Sequence, residues 1–176
     1  MSIFRRPVTW LVAGVALVVA AVGLYLFQPW RLFTTVTVDE ALPVVATTPA
    51  ATQAAAPTRV AVPEVQVLAR GEFRSHEHKT RGTAKVLRLA DGSRVLRIEK
   101  LDTSDGPDLR VWLTDRPVTD DWFSVGRGRN VELGDLKGNK GNANYVIPAG
   151  TDLDVFTSVT IWCKRFSVSF GAAALK

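Results

Sequence analysis

The sequence contains a single cysteine, Cys163, within the segment SVTIWCKRFSVSFG. A lone thiol cannot form a disulfide within its own chain, so its redox chemistry is limited to a sulfenic acid, a mixed disulfide with another molecule or ligation of a metal. Iron–sulfur clusters are excluded because they need several thiolates. Lys164 and Arg165 follow directly, and positive charge beside a thiol lowers its pKa. Cys163 is therefore a candidate redox residue, and the alternative is a small apolar residue of the core.

Two histidines, His76 and His78, form a second candidate site. Side chains at positions i and i+2 of a strand point the same way, so the two imidazoles could bind one metal ion. With Cys163 as a third ligand they would resemble a trigonal copper site. The alternative is a pair of polar residues on an exposed, charged strand. The sequence requires no cofactor, and copper or haem remains a possible cofactor. A haem ligated by methionine and histidine is excluded within the C-terminal part because the only methionine is Met1.

The charge pattern and the missing motifs exclude two classes of function. The formal net charge of +5 arises from interspersed positive and negative residues, without a long run of one sign. This pattern argues against nucleic-acid binding, which needs a basic patch or stripe. The hydrolase signatures G-x-S-x-G and H-E-x-x-H are absent from the sequence. A turnover enzyme is therefore not indicated.

The N-terminal region, residues 1–31, is predicted to be a cytoplasmic tip and a transmembrane anchor. The segment Val8–Phe27 carries no charge, and as a helix it would span roughly 30 Å, the thickness of the hydrocarbon core. Arg5 and Arg6 precede it and Arg31 is the first charge after it, so the positive-inside rule keeps the N-terminus in the cytoplasm. A single-pass protein of the cell membrane with an extracytoplasmic C-terminal domain follows. The alternative is a cleaved signal peptide.

Residues 32–64 are predicted to connect this anchor to a C-terminal domain. Leu32–Leu42 alternates weakly and could be a short strand or an extended juxtamembrane segment. Pro43–Pro63 is dominated by alanine, threonine, proline and valine, with one charge. Such a composition has too little large apolar surface to fold, and its prolines favour extended conformations. A disordered spacer is therefore expected here.

Residues 65–176 are predicted to form an all-β domain. Asp91-Gly92 lies between two runs of alternating hydrophobicity, Ala84–Leu89 and Arg94–Ile98, which is a strong signal for a hairpin. In all, about seven to nine short strands are predicted at close spacing, without a ten-residue helical pattern, and an antiparallel β-sandwich or barrel is the expected fold. Further strands are predicted at Leu109–Leu113, Val131–Leu133 and Asn144–Ile147, with one strand or a pair of strands within Val155–Phe170.

The last of these segments has an irregular pattern of apolar residues. Its apolar side chains form two sets that would face opposite sides of one regular strand. The odd-numbered set is Val159, Ile161 and Cys163, and the even-numbered set is Phe166, Val168 and Phe170. If both sets face one core, a β-bulge near Lys164-Arg165 must shift the chain by one residue. A central strand that is buried on both faces is the alternative and needs no bulge.

The order and spacing of several short motifs resemble the DM13 domain over roughly residues 67–175. The resemblance implies a β-rich extracytoplasmic module of the DOMON-like sandwich type with an electron-transfer or redox role. It places Cys163, in the IWC-type motif, at the family's proposed redox position, and His78 at a motif position without an assigned role. The matching motifs are Gly71-Glu-Phe73, His78 with Gly82, Gly106-Pro-Asp-Leu109, Leu133–Gly138 with Gly141, Tyr145-Val-Ile-Pro148, Ser158–Phe166 and Phe170-Gly171.

Two hypotheses of function remain from the sequence. The first is a membrane-anchored extracytoplasmic redox or electron-transfer module that acts through Cys163. Residues 8–27 would attach it to the membrane, and its redox partner would be an unidentified protein or small molecule. The second is a non-catalytic binding or envelope-interaction module in which Cys163 is an inert core residue. The exposure of the thiol distinguishes the two.

Overall fold

A computed structural model describes residues 5–43 and 65–176. The chain begins with an α-helix, α1 (Arg5–Phe27), whose segment Val8–Phe27 has a mean hydropathy of 2.4 and no residue buried against the rest of the protein. By length and composition this helix could cross a membrane. Pro29 ends it, because proline has no N–H for the helical ladder and disfavours a helical conformation at the preceding residue. Gln28 leaves the helical conformation and adopts a left-handed one, and a 3-10 helix follows at Pro29–Phe33.

Within the residues that the structure describes, ten β-strands form two five-stranded sheets. The first sheet has the order β1-β8-β5-β4-β2 and the second has the order β3-β10-β9-β6-β7. All pairings are antiparallel except β1 with β8. The predicted all-β, sandwich-like fold with one preceding apolar helix is confirmed. The strands are β1 (Thr37–Asp39), β2 (Gln66–Glu72), β3 (Arg74–Ser75), β4 (Arg81–Arg88), β5 (Arg94–Asp102), β6 (Leu109–Thr114), β7 (Asn130–Asp135), β8 (Lys140–Ile147), β9 (Ser158–Cys163) and β10 (Val168–Ala174).

The predicted hairpin around Asp91-Gly92 is present as β4 and β5. Gly92 has φ +82°, which a residue with a side chain rarely adopts, and the Asp91 carboxylate accepts hydrogen bonds from the Ser93 N–H and hydroxyl at 2.9 and 2.6 Å. Local turn chemistry therefore sets this pairing, whose register places Arg88 opposite Arg94.

The juxtamembrane segment supplies an edge strand of the first sheet. In β1, Val38 lies opposite Gly141 of β8, which has φ +100°. A Cβ at position 141 would fall on the backbone carbonyl of Val38, so only glycine permits this close approach. The buried Arg97 guanidinium also donates to the carbonyl oxygens of Glu40 and Ala41, at 2.6 and 3.2 Å. The chain that leaves α1 is thus built into the domain.

The predicted spacer within residues 32–64 lies, from residue 44 onward, outside the described residues. Because β1 precedes this segment and β2 follows it, the segment joins two strands of one sheet. The domain is therefore connected to α1 by the short stretch between Phe27 and Thr37.

The second sheet is covered on both faces. Its inner face packs against the first sheet in a shared apolar core, and its outer face carries a smaller cluster formed by Trp112, Val125, Trp162 and Ala172. All six residues of β9 are consequently buried. The expectation of a central strand buried on both faces is confirmed.

The predicted β-bulge at Lys164-Arg165 is wrong. The chain reverses direction there through a turn at residues 164–167, in which Ser167 has φ +53°, and β10 then runs antiparallel to β9. Cys163 and Val168 become register partners, so Val168 and Phe170 join the core that contains Val159, Ile161 and Cys163 without a bulge between them. Phe166 lies in the turn and remains 41% exposed. A register shift does occur, but it lies further along, between Ser169 and Gly171.

Candidate functional site

Cys163 is the last residue of β9, the strand that lies between β6 and β10. It is the register partner of Leu109 on one side and of Val168 on the other. Its side chain belongs to the core between the sheets and is 0% exposed. The next residue, Lys164, donates its backbone N–H to the carbonyl oxygen of Asp108 at 2.9 Å, which holds the end of β9 against the loop before β6. The thiol is thus enclosed in the resting structure.

Burial raises the pKa of the Cys163 thiol above its ordinary value, and the nearby negative charge of Asp108 acts in the same direction. Hydrogen bonding from the backbone of Phe166 and Arg165 opposes this rise, because it stabilises a thiolate. The expected lowering of the pKa by Lys164 and Arg165 side chains is wrong. Lys164 lies 3.4 Å from Glu132, and the Arg165 guanidinium turns to α1. The buried thiol is therefore protonated at neutral pH.

The turn after Cys163 is attached to the end of α1. The Arg165 guanidinium donates to the carbonyl oxygens of Tyr25 and Leu26, at 3.0 and 3.1 Å. The last carbonyls of a helix have no partner within it, and a cation is favourable at the negative end of the helix dipole. The Phe166 ring also stacks on the Phe27 ring, with 5.4 Å between centroids. The turn that follows Cys163 is therefore held by the predicted membrane helix.

A cavity of about 400 Å³ lies between this turn, the end of α1 and the loop before β6. Cys163 does not line it, but Val168, the register partner of Cys163, and Phe166 of the adjoining turn do. Cys163 is therefore next to a residue of the cavity wall without lining the cavity itself. The apolar part of the wall is formed by Phe27, Leu32, Pro107, Phe166, Val168 and Phe170.

His78 lines this cavity. Its imidazole packs on the Phe170 ring, with 3.9 Å between the ring centroids. Burial lowers the pKa of His78 below its ordinary value, although the charge of Glu77 opposes this effect. A neutral imidazole offers one hydrogen-bond donor and one acceptor. His78 is therefore a polar group suited to an uncharged ligand.

His76 points to a different part of the domain. Its Nδ1 is 2.8 Å from the Ser169 hydroxyl, which is in turn 2.8 Å from the Thr160 hydroxyl, within the buried second sheet. Burial lowers the pKa of His76. The Nε2 atom is buried and makes no hydrogen bond to the residues that the structure describes. His76 therefore has a structural environment, distinct from the cavity that His78 lines.

The structure does not bring the three predicted ligands together. β3 ends at Ser75, so His76 and His78 lie in a bend and lack the common face that a strand would give them. They contact successive residues of β10, Ser169 and Phe170. Within residues 5–43 and 65–176, no group of three or more histidine, cysteine or acidic side chains is placed to hold a metal ion. The trigonal set predicted for copper is thus not assembled there.

The sequence did not indicate the cavity itself. Its walls come from α1, the 3-10 helix, the bend after β3 and the turns beside β6 and β10. Phe166, an apolar residue in a charged turn, was the one local signal. Its parity groups it with Val168 and Phe170 of the predicted strand, whereas it lies in a turn, is 41% exposed and contacts α1.

Fold and site together define an all-β domain, in contact with an apolar N-terminal helix, with one enclosed thiol and a cavity between the helix and the domain. The chain belongs to the DM13 family: the family model described as "Electron transfer DM13" matches residues 72–175. A comparison with curated proteins found no match. A comparison with solved structures also found none.

Proposed function

We propose that this protein is a membrane-anchored, extracytoplasmic redox module that acts through Cys163. The family's description as an electron-transfer domain is the observation that carries the proposal. The apolar segment Val8–Phe27 supplies the anchor, and Arg5 and Arg6 on its N-terminal side favour export of the C-terminal domain. Among the side chains of the sequence, Cys163 is the only thiol available for reversible two-electron chemistry.

The proposed reaction is exchange with an external disulfide. The Cys163 thiol loses its proton to solvent, and the thiolate attacks one sulfur of the disulfide. A new S–S bond joins Cys163 to that sulfur, the original S–S bond breaks, and the second sulfur leaves as a thiolate. A second external thiolate reverses the step and regenerates Cys163. The external disulfide is the oxidant and the external thiol is the reductant, so a resolving cysteine in this chain is not needed.

Reaction at Cys163 requires the turn at residues 164–167 to open. The thiol is enclosed, and its pKa is raised by burial, so the closed state is unreactive. The contacts of Arg165 with the helix carbonyls oppose this opening. The observed rate is therefore the intrinsic rate multiplied by the population of the open state.

The test measures glutathione adduct formation by mass spectrometry on the full chain in nanodiscs, with oxidised glutathione as the probe. Arg165→Gln should increase the rate about two- to fivefold, since a cation at a helix C-terminus contributes about 0.3–1 kcal/mol. Arg127→Gln is the matched control, because Arg127 is an exposed arginine that pairs with Asp121 elsewhere in the domain. If wild-type protein forms no adduct until denaturant is added, the redox proposal fails.

The second candidate is a non-catalytic binding module in which Cys163 is a core residue. The complete burial of the thiol and the raised pKa favour it. In this case Cys163→Ala would remove adduct formation from the unfolded chain only, and every ligand-binding property of the folded protein would persist.

A further inference from the structure

The cavity between α1 and the domain has the composition of a ligand site. Three aromatic rings, from Phe27, Phe166 and Phe170, contribute to its wall, and the His78 imidazole lines it together with the polar or charged residues Gln28, Arg31, Glu77 and Asp105. Its volume of about 400 Å³ falls within the range of roughly 300–1,000 Å³ typical of small-molecule sites. We propose that this cavity binds the planar head group of a membrane-dissolved quinone.

The position of the cavity points to a ligand that arrives from the bilayer. Phe27 is both the last residue of α1 and the last residue of the apolar span, so the cavity lies where that span would leave the hydrocarbon. The approach on this side is apolar, because Leu32 and Phe33 of the 3-10 helix are exposed. A lipophilic molecule in the interfacial layer would therefore reach the cavity without crossing water.

The charges around the cavity favour a neutral ligand over a phosphate or a carboxylate. Two carboxylates, Glu77 and Asp105, line it together with one guanidinium, Arg31. Arg31 is already engaged, since its Nη1 lies 3.4 Å from the Asp105 carboxylate and donates to the Gly106 carbonyl at 3.1 Å. An anion would consequently meet an excess of negative charge.

The aromatic side chains of the wall and the His78 imidazole match a ring that carries carbonyl acceptors. A quinone ring stacks on aromatic side chains, which the wall supplies. Its carbonyl oxygens accept hydrogen bonds, and the neutral His78 imidazole, packed against Phe170, offers a donor. The isoprenoid tail of such a ligand would lie along the exposed apolar residues and continue into the bilayer. A plain acyl chain would use the apolar wall but not His78.

This inference rests on the proposed function in one respect, the membrane anchorage that brings the ligand to the cavity. It does not require Cys163 to be reactive. The two proposals also differ in the residues they need, because Cys163 does not line the cavity. Binding in a Cys163→Ala variant therefore separates their failures: retained binding with no glutathione adduct on wild-type protein removes the thiol mechanism and leaves the quinone site.

The experiment measures saturable retention of radiolabelled decylubiquinone on nanodiscs that carry the full chain, relative to empty nanodiscs. Phe166→Ala and His78→Leu should each weaken the saturable component roughly tenfold, through loss of a stacking ring and of a donor. Phe123→Ala is the matched control, because Phe123 is 48% exposed, compared with 41% for Phe166, and does not line the cavity. It should bind like wild type.

Three results would overturn the proposal. One is retention no greater than that of empty nanodiscs. Another is an equal loss in Phe166→Ala and Phe123→Ala. The third is displacement of decylubiquinone by decylbenzene as effectively as by unlabelled decylubiquinone, which would show that the cavity accepts any apolar molecule. Circular dichroism spectra of the variants matching wild type exclude misfolding as the cause of a loss.

Discussion

Replacing Gly141 by alanine should release the juxtamembrane strand from the domain. Gly141 has φ +100°, and a Cβ there would fall on the carbonyl oxygen of Val38 in the paired strand β1. The unfavourable φ costs about 1–3 kcal/mol by itself. The clash with backbone cannot be relieved by a side-chain rotation, so β1 must move away and lose its ladder with β8 and the hydrogen bonds to Arg97.

Gly134→Ala is the matched control. Gly134 also lies in a strand, β7, and has φ +125°, but nothing lies within 4 Å of the Cβ position. Both variants therefore suffer the conformational cost, and only Gly141→Ala suffers the clash. We expect Gly134→Ala to lower the free energy of unfolding by about 1–3 kcal/mol. Gly141→Ala should lower it by at least about 1 kcal/mol more, because each lost hydrogen bond of β1 contributes about 0.5–1.5 kcal/mol.

The assay combines urea unfolding of the full chain in a mild detergent with limited proteolysis. Linear extrapolation gives the free energies of unfolding, and mass spectrometry locates the first cleavage sites. In Gly141→Ala the segment at residues 34–43 should become a preferred site of cleavage, while Gly134→Ala should be cut like wild type. Equal losses of stability and unchanged cleavage in both variants would refute the pairing of β1 with β8.

Three further predictions follow from the same geometry. The pH midpoint for alkylation of Cys163 by iodoacetamide in the folded protein should lie above 9.0, the ordinary pKa of the thiol, because burial raises the pKa in the folded state. A midpoint below 9.0 would contradict this environment. Burial lowers the pKa of both His76 and His78 below 6.5, so the unfolded chain binds more protons than the folded one near this pH. Stability to urea should therefore fall as the pH drops below about 6.5. A stability that rises on acidification over that range would be inconsistent with two neutral histidines. Gly126→Ala should destabilise the domain by about 1–3 kcal/mol, because the new Cβ would overlap the Trp162 indole. An unchanged thermal midpoint would show that the apolar cluster on the outer face of the second sheet can repack around the added methyl group.

Local chemistry explains which parts of the fold were predictable. The β4–β5 hairpin follows from Asp91-Gly92, because those two residues satisfy the turn by themselves. The turn after Cys163 has no comparable signal: residues 164–167 contain neither glycine nor proline, and Ser167 takes the left-handed conformation. The sequence pattern alone therefore leaves one bulged strand, one strand buried on both faces and a pair of strands open, and the turn at residues 164–167 decides for the pair.

The candidate site was less predictable because its environment depends on distant residues. Lys164 and Arg165 next to a thiol suggest an activated thiolate, but Glu132 of another strand and the carbonyls of α1 direct both cations away from it. Likewise, the spacing of His76 and His78 would place them on one face only in a strand, and the chain bends there. Residue types were informative, whereas the directions of the side chains required the tertiary structure.

The contacts of the β9–β10 turn link the presence of α1 to the stability of the turn that follows Cys163. Opening this turn breaks the hydrogen bonds from Arg165 to the last carbonyls of α1 and separates the Phe166 and Phe27 rings. A domain that had lost α1 by cleavage would have neither restraint, and its turn would open at lower cost. The same loss would remove Phe27 from the cavity wall. A retained helix would therefore stabilise the closed turn beside the thiol and would also complete the cavity wall. A leader that is cleaved off would do neither.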